Sequence, residues 1–163
     1  MEALHAPWRI EYILGPKHPS DDASVFTEIS QSNDDEANYV IARSRHCFAV
    51  LNTYPYNGGH VLIVPYKQAP DFDDLTDEEN LDALQLLQRV KRALAETMNP
   101  EGFNIGVNLG QAAGAGIHGH LHWHLVPRWN GDTNFMPVVG QTNVLPEALA
   151  ETAAKLRASL AQD

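Results

Sequence analysis

The chain has 163 residues, 44% of them hydrophobic and 20% charged, with a formal net charge of −10. That length and balance suit one soluble domain with a sizeable core. The acidic surplus and the lack of a basic tract argue against non-specific nucleic-acid binding and an anionic membrane surface, although backbone amides and imidazoles can still form a local anion site. Cys47 is the single cysteine, which excludes an intrachain disulfide and a multi-cysteine metal site. Residues 1–11 lack the apolar run of a signal peptide, and no segment approaches membrane-spanning length, so a cytoplasmic location is expected.

Residues 1–35 read as an irregular arm punctuated by Pro7, Gly15, Pro16 and Pro19, with Ser24–Ile29 as a short strand or turn inside it. The remainder, 36–163, reads as the catalytic part of a chain that is one domain overall. Tyr39–Arg43 and Cys47–Leu51 are expected strands, Tyr54–Gly59 a turn, and His60–Pro65 a third strand. Thr76-Asp-Glu-Glu79 has the spacing of a capping box, with acidic residues suited to a helix N-terminus. Leu81, Leu84, Leu87, Val90 and Leu94 then form a helical stripe ending near Met98 and Pro100. Phe103–Asn108 is a fourth strand, and the loop Leu109–Gly116 leads to a fifth that carries a row of histidines. After a loop around Asn130–Asp132, Pro146 suits a first helical position, and Leu149, Leu156 and Leu160 stripe a terminal helix. Strands gathered around one long helix predict an α+β fold with a five-stranded, mainly antiparallel sheet.

His118, His120, His122 and His124 alternate with other residues, and an extended strand would align their imidazoles on one face. Leu121, Trp123 and Leu125 would face the core. Three readings stand for such a row. The imidazoles can be satisfied core groups, though stacking several without a ligand is costly. They can hold zinc or copper. Or one of them can be a nucleophile at phosphorus, since neutral imidazole is nucleophilic near neutral pH and its neighbours can fix its tautomer. The small-residue loop Gln111–Gly116 favours the last, because glycine lets backbone amides approach an anion closely.

His120-Leu-His122-Trp-His124-Leu-Val126 resembles the signature of the histidine triad family: three alternating histidines closed by two apolar residues. The frame beginning at His118 breaks that pattern at Gly119 and at Trp123-His124, so His122 is the middle histidine and His118 an accessory one, solvent-facing or beside the substrate. Pro127–Phe135, the Ala6–Arg9 start, and Asn52 lying eight residues before His60 are similar to bacterial members related to the fragile-histidine-triad and diadenosine-tetraphosphate phosphorylase branches.

The resemblance implies a nucleotide hydrolase or transferase that cleaves dinucleoside polyphosphates at the α-phosphate through a nucleotidyl-histidine, with water or phosphate as acceptor. A nucleoside phosphoramidase and a nucleotide-binding regulatory protein are the alternatives. His122 would attack, His120 and His124 would flank it, and His60 would support them by a hydrogen bond. Asn52 would hold the ribose, while Asn108 and Gly116 would contact phosphates. Trp129 would cap the nucleotide or simply pack, and Val25-Phe26 would line an adenine pocket or the core. A homodimer is implied as well. Many bacterial relatives carry Cys-x-x-Cys in the arm and bind structural zinc. Ser24-Val-Phe-Thr27 stands here instead, so no tightly bound metal is expected, and magnesium is admitted only as a companion of the nucleotide.

Overall fold

The structure, a computed structural model, describes residues 24–133, 135–139 and 146–162. Most of the N-terminal arm, including Ala6–Arg9, lies outside them. The strands are β1 (Val40–Arg43), β2 (Cys47–Leu51), β3 (Val61–Pro65), β4 (Gly102–Val107) and β5 (Trp123–Arg128). The helices are α1 (Val25–Gln31), α2 (Asp77–Met98), α3 (Met136–Val139) and α4 (Leu149–Leu160). The strands form one antiparallel sheet in the order β1-β2-β3-β5-β4. This is the expected α+β fold.

Strands β2 and β3 are apolar and buried at every position. A strand can be so only where both faces of the sheet are covered. On one face Ala49, Leu51, Val61, Ile63, Trp123 and Leu125 pack with Leu86, Leu87, Val90 and Leu94 of α2 and Leu156 and Leu160 of α4. On the other, Val40, Phe48, Val50, Leu62 and Val64 pack with Phe26 of α1. Helix α2 begins at the expected capping box: Thr76 accepts from the Glu79 amide, and Glu79 accepts from the Thr76 amide. It stops at Asn99, whose backbone is left-handed with φ 46°.

Three expectations are corrected. Ser24–Ile29 is neither strand nor turn, and the arm is not irregular to residue 35, because Ser24 caps the helix α1 by accepting from the Phe26 amide. Pro146 does not open the terminal helix, which starts at Leu149. Glu147 takes the anchoring role there, accepting from the Thr152 hydroxyl at 2.9 Å and pairing with Lys155. Last, the histidine row is not one strand. Pairing of β3 with β5 ends at Ile63–Trp123, so only His124 of the row lies in the ladder. Pro65 offers no amide to extend it. Its carbonyl instead accepts from the His120 ring at 2.8 Å, and the Leu121 amide turns to the Ala69 carbonyl.

Candidate active site

His124 pairs with Leu62 on β3 and Gly106 on β4, which sets its imidazole on the sheet face that α1 partly covers. His122 reaches the same side, its ring centroid 5.0 Å from that of His124 and 5.1 Å from that of Phe26. Phe26 also meets His120 edge-on at 5.5 Å. Helix α1 thus walls the first two histidines with an aromatic ring. His60, just before β3, completes the group, with its ring centroid 5.2 Å from that of His124. His60, His120 and His122 are 1%, 0% and 8% exposed.

The hydrogen bonds assign the protons on each ring. Asn52 accepts from the Tyr54 amide through Oδ1, so its Nδ2 is the atom 3.3 Å from His60 Nδ1. The Tyr56 amide donates to the same Nδ1 at 3.1 Å. Two donors converge there, so Nδ1 carries the lone pair and Nε2 the proton. His60 Nε2 then donates to His124 Nδ1 at 3.0 Å, which leaves the proton of His124 on its Nε2. His122 is set the opposite way. Its Nδ1 donates to the His120 carbonyl at 2.8 Å, so Nε2 holds the lone pair, and that atom makes no hydrogen bond among the described residues. A nucleophilic nitrogen and a donor N–H therefore sit on adjacent rings.

Burial lowers the pKa of His122, against a smaller opposing effect of its bond to the His120 carbonyl. Burial also lowers that of His120, which donates to Pro65 and whose Nδ1 has no partner among the described residues. Both rings are kept neutral, the state in which imidazole attacks phosphorus.

A groove of about 200 Å³ opens beside His124, lined also by Tyr56, Asn104, Gly106 and Asn108. Asn108 is thus brought to the site. Asn52 is too, but as the orienting partner of His60 and of the Tyr54 amide. Phe26 packs on the imidazoles, as described above. Trp129 lies beyond the end of β5, donating through Nε1 to the Asn99 carbonyl at 3.2 Å, and is not gathered with the histidines. Gly116 is exposed in the loop, with no hydrogen bond to an imidazole among the described residues. His118 is exposed and donates to the Ala115 carbonyl at 3.1 Å.

The sequence reading took Tyr54–Gly59 for a plain turn and so missed Tyr56. Its ring lies 4.6 Å from that of His60 and stacks on that of His124 at 5.6 Å and 17°. An aromatic residue four positions before a site histidine was the available signal. A strut holds this loop: Asn57 Nδ2 donates to the Pro127 carbonyl at 3.2 Å and to Asp132 Oδ2 at 2.9 Å. Asp132 also accepts from Arg128 and from the Trp129 amide. The Arg128 hydrogen bonds hold its carboxyl down at about 2.

The Ser24 hydroxyl accepts from the Phe26 amide, and the Thr27 hydroxyl donates to Gln68 Oε1. Among the described residues no three His, Cys, Asp or Glu side chains are grouped to hold a metal ion. None of the described helices is long and apolar enough to cross a membrane.

A five-stranded antiparallel sheet with a hydrogen-bonded histidine cluster beside β5 is the arrangement to compare with known proteins. The HIT domain family model matches residues 33–131. An AP-4-A phosphorylase of Mycobacterium tuberculosis is 40% identical over 158 residues, spanning 93% of this chain and 80% of that protein. A bis(5'-nucleosyl)-tetraphosphatase (asymmetrical) of Schizosaccharomyces pombe is 31% identical over 93 residues, spanning 57% of this chain and 50% of that one. The crystal structure of a zinc-bound histidine triad family protein from Mycobacterium smegmatis superposes with a TM-score of 0.69 at 29% identity, covering 86% of this chain and 94% of that chain. The chain belongs to the histidine triad (HIT) family.

Proposed function

We propose that this protein cleaves dinucleoside polyphosphates at the α-phosphate. The observation that carries the reading is the opposed proton placement on His122 and His124. Nε2 of His122 attacks the α-phosphorus, a P–N bond forms as the P–O bond to the next phosphate breaks, and the remaining nucleoside polyphosphate departs as an anion. The Nε2–H of His124 hydrogen-bonds the oxygens on which charge gathers, the electrostatic stabilisation that pre-set donors supply. Water or inorganic phosphate then attacks the nucleotidyl-His122, breaks the P–N bond and returns the electron pair to Nε2. Water yields a nucleoside monophosphate and phosphate a diphosphate. The names of the mycobacterial phosphorylase and the yeast tetraphosphatase support this substrate class.

Asn108, on the groove beside His124, serves the phosphates in this reading, with the loop glycine Gly116 beside them. Asn52 contributes its second amide hydrogen and lone pair to the ribose. Phe26 walls the imidazoles, and Trp129 packs at the end of β5 against the Asn99 carbonyl. The reaction needs no resident metal, and magnesium enters only with the nucleotide. The protein acts in the cytoplasm, where its nucleotide substrates are, and not on nucleic acids or membranes.

A homodimer belongs to the same proposal. Among the described residues β4 pairs only with β5, which leaves it at the edge of the sheet, and Ile105 is 49% exposed on it. Such an edge is a ready site for pairing with a second copy.

Incubation with diadenosine tetraphosphate, with and without phosphate, followed by product identification by mass, tests the function. Release of AMP with ATP, or of ADP with ATP when phosphate is present, is expected. Failure to cleave, with cleavage of a nucleoside phosphoramidate instead, would overturn it.

A further inference from the structure

Gly106, the cross-strand neighbour of His124 on β4, has no side chain to buttress the imidazole, and a Cβ built there meets nothing within 4 Å. The hydrogen bond from His60 holds Nδ1 of the ring, and the His122 ring meets it edge-on at 5.0 Å. The ring of Tyr56 stacks on the face of the imidazole at 5.6 Å and 17°, a contact that favours one ring plane. The same residue's amide fixes the proton on His60.

Tyr56 is held in turn from a distance. Asn57 ties the loop to Asp132 and to the Pro127 carbonyl. Gly59, at φ 75°, lets the chain pass where a Cβ would come within 2.6 Å of Met98 Sδ. The loop is therefore held directly after Tyr56.

We infer that Tyr56 is a positioning residue for the nucleotidyl transfer: its ring sets the plane of His124, and so the direction of the Nε2–H, while its amide sets the proton on His60. It acts through His124 and needs no contact with the reacting phosphorus. The inference rests on the functional reading above for its kinetic test, and on geometry alone for its spectroscopic one.

Tyr56→Phe retains the ring and Tyr56→Leu removes it. With diadenosine tetraphosphate, the leucine variant is expected to lose about 10- to 100-fold in kcat, the cost of a misaimed group. Its KM should stay within about threefold of the parent. The phenylalanine variant, which keeps the stacked ring, should lose less kcat than the leucine variant. In full-length protein with nitrogen-labelled histidine, the imidazole resonances of His124 should lose their ring-current displacement in the leucine variant, while those of His120 stay in place. Should the leucine variant fail to fold, Tyr56→Thr serves in its place. Parental kcat without the ring, a loss confined to KM, equal damage from both substitutions, or unmoved His124 resonances would each overturn the inference. A parent that does not cleave the substrate contradicts the functional reading instead, and the imidazole spectra then decide the inference by themselves.

Discussion

His60 and His124 share a single directed hydrogen bond, Nε2 to Nδ1 at 3.0 Å, although 64 positions separate them in the chain. Its direction is imposed from behind, by the Tyr56 amide and the Asn52 carboxamide on His60 Nδ1. Substitution His60→Ala removes the donor that orients His124. The expected loss is about 1–3 kcal/mol of transition-state stabilisation, or about 5- to 150-fold in kcat/KM. Steady-state kinetics against a single dinucleoside polyphosphate checks this. Parental kcat/KM would show that His124 is oriented without His60.

The pH dependence follows from the buried rings. His122 titrates below its ordinary 6.5 because burial disfavours its charge. The acid limb of kcat/KM is therefore expected below pH 6.5. His120 is shifted the same way. With folded-state values below the unfolded ones, the unfolded chain binds more protons as pH falls. The stability these rings contribute is fully present above about pH 6.5 and is lost as pH drops through their folded values. Thermal melts between pH 7.5 and pH 5 should show a falling midpoint, and His122→Asn should reduce the slope.

Much of the fold was legible because local signals agreed with it. Thr76 and Glu79 announce the start of α2, and apolar runs at Cys47–Leu51 and His60–Pro65 announce β2 and β3, the latter one residue shorter than expected. In the sequence only the frame centred on His122 keeps the apolar spacers, and His120, His122 and His124 lie close together beside Phe26 and His60. Helix α1 was not legible, because seven residues that include a valine, a phenylalanine and a threonine show too little period to separate helix from strand. The end of β5 pairing at Trp123 depends on Pro65 and the His120 ring, 55 residues apart. Tyr56 owes its place to the contact of Asn57 with Asp132, 75 residues away, which no local pattern reports.

That strut predicts a separable effect. Asp132→Ala strands the Trp129 amide and the Asn57 carboxamide, whereas the part-exposed Arg128 guanidinium is rehydrated. A stability loss of about 1–2 kcal/mol is expected, less than a fully buried network would show. Denaturant titration measures it, and an unchanged midpoint would remove Asp132 from the account of the loop.

The capping box offers a control remote from the chemistry. Thr76→Ala should cost about 1 kcal/mol through loss of the N-cap. Activity at 25 °C should be unaffected. A loss of turnover without a loss of stability would contradict the assignment of this residue to folding alone.

The central claim is that His122 Nε2 is the attacking atom. Rapid acid-free quenching of the parent with diadenosine tetraphosphate, followed by peptide mapping by mass spectrometry, should find a nucleotidyl group on the peptide carrying His118–His124 and localise it to His122. In His122→Asn the adduct should vanish and turnover should fall by several orders of magnitude, with nucleotide affinity largely retained. An adduct on His118, His120 or His124, or near-parental turnover by His122→Asn, would contradict the account.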